Sequence, residues 1–97
     1  METREFIRIT EFCHNYGIEE SFVLVLQDYE IVSIELIDSE PYIHEQDLPL
    51  LEKMLRLHQE LEINPEGLQA IHHLLNRING LQKEVYSLKR KLKRFEL

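Results

Sequence analysis

The chain turns on a corner. Asn64-Pro65-Glu66-Gly67 separates two stretches whose apolar residues recur at helical spacing. Before it stand Leu48, Leu51, Leu55 and Leu57, with Met54 beside them; after it come Leu68, Ile71, Leu74, Leu75 and Ile78. The Asn64 side-chain oxygen suits a helix cap, and Pro65 suits the first helical position, where no amide hydrogen is needed. Glu66 puts a negative charge where the helix dipole is positive. This segment therefore predicts a helix, a sharp stop and a second helix.

The second helix is expected to run from Asn64 to Phe95, about 45–50 Å at the usual rise. Its apolar positions Ile71, Leu74, Ile78, Leu81, Val85, Leu88, Leu92 and Phe95 step by three and four in alternation, which is a heptad seam. Leu68 and Leu75 lie beside the seam and face a domain core. Gly80 weakens the helix by about 1 kcal/mol relative to alanine. A body of 97 residues has room for one modest core and cannot cover the far turns of such a helix. The exposed seam calls for a partner helix, and homodimerisation is the simplest source. The dimer seam is expected at Ile78, Leu81, Val85, Leu88, Leu92 and Phe95. The chain then divides into a body over 1–76 and a helical extension over 77–97, one domain in all.

Upstream, Phe6-Ile7-Arg8-Ile9 reads as a short strand or extended lead-in. Thr10 is the expected cap of a short helix that ends at Gly17. Ile18 turns inward, and Glu19-Glu20 opens a second helix through Tyr29, which makes a helix-turn-helix. Cys13 falls on the inner face of the first helix, a structural thiol with no basic cluster to activate it. Residues 31–37 are β-branched and alternating, and read as a strand. Asp38-Ser39-Glu40-Pro41 is a turn, and Tyr42-Ile43 returns as the partner strand of a two-stranded wing. Pro49 places the start of the third helix near Asp47.

Charge is unevenly placed. Residues 1–66 hold 16 Asp and Glu against 4 Lys and Arg; residues 67–97 hold 2 against 7. A body of −12 thus joins an end of +5, for a net charge of −7. An acidic body repels a phosphate backbone and attracts basic protein surfaces. The basic end, Lys89-Arg90-Lys91 with Lys93-Arg94, reads as a solvated helix face or a nucleic-acid contact.

Other classes have little support. No apolar run is long enough to span a bilayer, and no secretory signal precedes the first structured segment. A single cysteine allows no internal disulfide, which fits a reducing cytoplasm. His14, His44, His58, His72 and His73 show no zinc spacing with cysteines, so no metal site is expected. No phosphate loop or nucleophile motif appears, so neither an enzyme nor a cofactor is expected. His58, near the corner, is placed to pack or hydrogen-bond there.

The order of these elements resembles a known family. Gly17-Ile18-Glu19-Glu20-Ser21-Phe22, Tyr42-Ile43 with Asp47-Leu48, and Leu51-Glu52-Lys53-Met54-Leu55-Arg56-Leu57-His58 carry the resemblance. So do Glu60-Leu61-Glu62-Ile63-Asn64-Pro65-Glu66-Gly67-Leu68 and Leu81-Gln82 with Glu84. Nearly the whole chain is similar to the MerR type, and within it to the CbpM-like chaperone-modulator branch. The implied fold is mainly α: a MerR-like winged helix-turn-helix with a small wing and a long C-terminal helix. Glu62 departs from the pattern, since glycine is common before the Ile-Asn pair.

The resemblance implies a bacterial, cytoplasmic, non-catalytic adaptor. It would bind the J-domain of a DnaJ-like co-chaperone, CbpA, and inhibit its stimulation of Hsp70. The J-domain presents a basic helix, so the acidic half of this chain has the matching charge. The rival is a MerR-type transcriptional regulator. Such proteins carry an Arg-Tyr-Tyr type segment in the second helix and another Arg in the wing. Here residues 19–30 and 38–41 contain no Lys or Arg, so DNA is the poorer partner. Contact with a J-domain is expected at Glu19, Glu20, Asp28, Tyr29, Glu30 and Glu35. A second acidic surface is offered by Glu52, Glu60, Glu62 and Glu66.

Overall fold

The computed structural model describes residues 5–95. Strand β1 (Phe6–Arg8) leads into helix α1 (Ile9–Tyr16), then α2 (Glu20–Asp28). The hairpin β2 (Ile34–Ile37) and β3 (Glu40–His44) follows, then a 3-10 turn (Glu45–Asp47), α3 (Leu48–Leu61) and α4 (Pro65–Arg94).

The helix-turn-helix forms because α1 stops on Gly17. Gly17 takes the left-handed conformation at φ 65°, and its amide and that of Ile18 both donate to the Cys13 carbonyl. The helix starts two residues earlier than a cap at Thr10 predicts: Arg8 is the cap position, and Thr10 lies exposed in the first turn. The cause is β1, which delivers an extended backbone directly to Ile9, a core residue only 1% exposed.

The wing has three strands, not two. β3 is central, with β1 and β2 antiparallel on either side, in register Ile7↔Ile43 and Ile34↔Ile43. Asp38 and Ser39, at φ 53° and 68°, make a two-residue hairpin loop, the primed geometry that matches strand twist. Pro41 is tolerated in the central strand because β1 ends opposite Tyr42, leaving Pro41 paired only with Leu36. The strand expected over 31–37 is shortened to 34–37. Ile31 and Val32 are apolar because they plug the core as irregular backbone, where the Ile31 amide donates to Leu26.

The core joins Ile9, Phe12 and Cys13 of α1, Val23 and Leu26 of α2, Ile43 of β3, Leu51 and Met54 of α3, and Leu68 of α4. At about 25 cal/mol per Å² of apolar surface, burial of these side chains is the main stabilising contribution. Cys13 is buried as expected, and burial, followed by the charge of Glu20, pushes its thiol pKa up, away from reactivity.

At the corner, Glu62 adopts the left-handed conformation (φ 55°), and Ile63 turns its amide back to the Leu57 carbonyl. Asn64 Oδ1 accepts from the Gly67 amide at 2.8 Å, and Pro65 begins α4. Gly67 allows a close approach, since a Cβ there would stand 2.7 Å from Ile63 Cγ2. Leu68 is fully buried, and Ile71 packs on the core. From Asn76 to Phe95 every residue is exposed. The projecting half of α4 carries Ile78, Leu81, Val85, Leu88, Leu92 and Phe95, between 47% and 82% exposed.

Candidate protein-docking face

Helix α2 is held by its apolar side. Val23 and Leu26 are buried, and Phe22, Val25 and Tyr29 are half-buried. The face left outward is Glu20, Leu24, Gln27 and Asp28. Glu20, Leu24 and Asp28 are spaced by four, so they line one stripe with a leucine, 47% exposed, between two carboxylates. Leu24 was not singled out in the sequence; its spacing from Glu20 and Asp28 was the available signal.

The expected contact residues fall into three groups. Glu19 and Glu20 stand at the N-terminal end of α2, with Glu19 at the cap position and accepting from the Ser21 hydroxyl at 3.3 Å. Asp28, Tyr29 and Glu30 stand at the other end, about 13 Å along the axis. Tyr29 is tied to α4: its hydroxyl donates to Glu66, and its carbonyl accepts from Gln69. Glu35 sits on the wing, 3.7 Å from His44 Nε2. The second acidic surface is also divided. Glu52 accepts from the Tyr16 hydroxyl, Glu66 from Tyr29, and Glu60 and Glu62 are exposed at the corner.

Two tyrosines are thereby kept protonated. The hydrogen bond to Glu66, then burial, raises the Tyr29 pKa above its ordinary 10. The hydrogen bond to Glu52 does the same for Tyr16.

A groove opens where α2 meets the end of α3. It has a volume of 540 Å³, with Ile18, Phe22, Val25 and Leu55 as its apolar wall and Glu19, Ser21 and Gln59 as polar lining. His58 also lines it, its ring stacked on Phe22 with centroids 4.8 Å apart. His58 Nδ1 lies 3.0 Å from the Ile63 carbonyl, which can only accept, so Nδ1 carries the hydrogen. Phe22 and His58 are far apart in sequence, and no local pattern announces their meeting.

The electrostatics are one-signed. Between Arg8 and Lys53 there is no Lys or Arg and there are eleven carboxylates. On the wing, Arg8 is engaged: its Nε donates to the Tyr42 hydroxyl at 3.1 Å and lies 3.2 Å from Glu40. Among the described residues no group of three or more His, Cys, Asp or Glu is placed to hold a metal ion. None of the helices described is long and apolar enough to cross a membrane.

A short α1-turn-α2 unit, a wing and a long closing helix define a winged helix-turn-helix protein of the MerR type. The family "MerR HTH family regulatory protein" matches residues 7–90. Among curated proteins the chain is similar to the chaperone modulatory protein CbpM of Pseudomonas putida (strain W619), 31% identical over 84 residues, 86% of this chain and 83% of that protein. It is similarly related to the chaperone modulatory protein CbpM of Pseudomonas entomophila (strain L48), 29% identical over the same shares. No solved structure matches it. The chain belongs to the CbpM family of chaperone modulatory proteins, built on the MerR-type helix-turn-helix.

Proposed function

We propose that this chain is a non-catalytic adaptor that binds the J-domain of a DnaJ/CbpA-like co-chaperone in the bacterial cytoplasm and inhibits its action on Hsp70. The observation that carries the reading is the acid–apolar–acid stripe of α2, Glu20, Leu24 and Asp28, within a segment without bases. A basic amphipathic helix needs both parts: opposite charge for orientation and encounter, and apolar area for affinity. A partner helix held there is withdrawn from Hsp70.

The MerR-type regulator reading rests on the fold alone. The helix that would enter a major groove is acidic, and phosphates would repel it.

The extension, 77–97, serves as the homodimer element in this reading. Its seam from Ile78 to Phe95 is exposed on a helix with no neighbour among the described residues. Two copies of the seam would cover each other and present two acidic faces.

The test is J-domain-stimulated Hsp70 ATPase activity, with binding measured by calorimetry. Wild-type protein suppresses the stimulation. Glu19→Lys with Glu20→Lys, or Asp28→Lys with Glu30→Lys, weakens binding by about tenfold, near 1.4 kcal/mol. Loss confined to Glu60→Lys with Glu62→Lys moves the contact to the corner. Unchanged affinity in all three folded variants removes the electrostatic basis.

A further inference from the structure

The groove beside the α2 stripe is the second half of a docking surface. Along α2, Ser21 and Val25 line the groove one step around the helix from Leu24 and Asp28. A helix laid on the stripe therefore passes the mouth of a hollow of 540 Å³, large enough for one bulky side chain. The lining is half-buried Phe22 and Val25, with buried Leu55 behind them, so an apolar group entering it leaves water on several sides. Glu19 lines the same hollow and Glu20 stands next to it, and no base of α1, α2 or the wing lines it. The basic residue next in line, Arg56, lies in a neighbouring hollow with Glu52 and Tyr16. The charge at the mouth is therefore negative, which selects a cationic occupant.

We infer that this groove seats one apolar anchor of the partner's basic helix, while Glu19 and Glu20 hold the Lys or Arg side chains flanking that anchor. The inference rests on the adaptor reading above and assigns its anchor point. His58 sets the far wall. With Nδ1 committed to the Ile63 carbonyl, Nε2 has no hydrogen-bond partner among the described residues and is the ring's free polar group. The stacking on Phe22 fixes the width of the groove, so removal of the ring changes which anchor fits.

Filling the groove from exposed positions tests this without touching the core. Ser21 and Gln59 are both exposed and line it. The isolated J-domain of a DnaJ-like co-chaperone from the same host is titrated into the full-length chain and into Ser21→Trp and Gln59→Trp. Asn79→Trp, at an exposed position of α4, controls for added bulk. The groove variants are expected to bind at least tenfold more weakly and the control within twofold of wild type, with thermal melts verifying the fold. In parallel, the Val25 methyl and His58 ring resonances of the wild-type chain shift on saturation with the J-domain.

Wild-type binding with both groove variants unaffected, or with those resonances unmoved, overturns the groove and leaves the adaptor reading standing. Absence of binding by the wild-type chain overturns the adaptor reading and the groove assignment with it. If Gln59→Trp instead changes the self-association of the chain alone, the occupant is the basic end of a second copy, and the assignment to a partner's helix is wrong.

Discussion

The Tyr29 hydroxyl donates to a Glu66 carboxylate oxygen at 3.0 Å, and three residues along α4 the Gln69 amide donates to the Tyr29 carbonyl at 2.9 Å. One residue at the end of α2 thus fastens the start of α4 twice. The first bond requires a protonated phenol. The Tyr29 pKa is raised, so the folded chain holds that proton more tightly than the unfolded chain does. The stabilisation is complete below the ordinary value of 10 and is lost as pH rises through the folded value. Tyr29→Phe should lower the melting temperature near neutral pH, and the gap from wild type should close in strongly alkaline buffer. Phenolate absorbance should show Tyr16 and Tyr29 ionising later than free tyrosine, with one of these late ionisations missing in the variant. A gap that widens with pH would contradict the assignment.

The corner makes a second set of expectations. Asn64→Ala removes the cap accepting from Gly67 and should cost about 1 kcal/mol, a fall of about 4–8 °C in a domain of this size. Glu62→Gly should raise stability slightly. It relieves about 1–2 kcal/mol of left-handed backbone strain, of which the freer unfolded chain takes back roughly 0.4–1. Gly67→Ala should destabilise in spite of alanine's helix preference, because Ile63 Cγ2 stands 2.7 Å from the added Cβ on a stiff, core-packed side chain. Chemical denaturation of the three variants checks the signs.

The extension gives a third. Leu81→Asp with Leu88→Asp should yield a monomer by sedimentation, because a paired seam would bury two carboxylates. Both positions are more than half exposed in the single chain, so the fold of the body should be unchanged. A wild-type chain that is monomeric at tens of micromolar would instead leave the seam to a different protein.

DNA is the fourth. No duplex binding is expected at physiological salt, since the recognition-helix position offers Glu20 and Asp28 to the phosphates. Weak binding at low salt that vanishes on deletion of residues 89–97 would report only the basic end. Sub-micromolar, sequence-selective binding would overturn the adaptor reading.

What could be read from the sequence was what is locally determined. Gly17 ends α1, and Asn64 and Pro65 begin α4, because each signal acts within a few residues. Glu62 was visible as the odd residue at its corner, and the left-handed backbone there explains why glycine suits it. Phe6-Ile7-Arg8 was legible as a short strand or extended lead-in, but its place as the third strand of the wing was not, since Phe6 finds His44 only through the folded sheet. Nor was the role of Ile31 and Val32, because β-branched residues suit a strand and a core plug equally. The acidic character of the candidate site was plain from composition. The stacking of Phe22 on His58 was not, because the two residues meet only in the folded chain.

Helix α4 also works as a lever. Over its 30 residues it reaches about 45 Å, and only its first turns are seated on the core through Leu68 and Ile71. A rotation of roughly 5° at Pro65 would carry the far end sideways by about 4 Å, most of one helical pitch. That is enough to misalign the apolar row from Ile78 to Phe95 with the partner helix proposed for it. The phenol, carboxylate and amide that join Tyr29, Glu66 and Gln69 therefore set an aiming tolerance: small adjustments where α2 meets α4 become large displacements at Phe95.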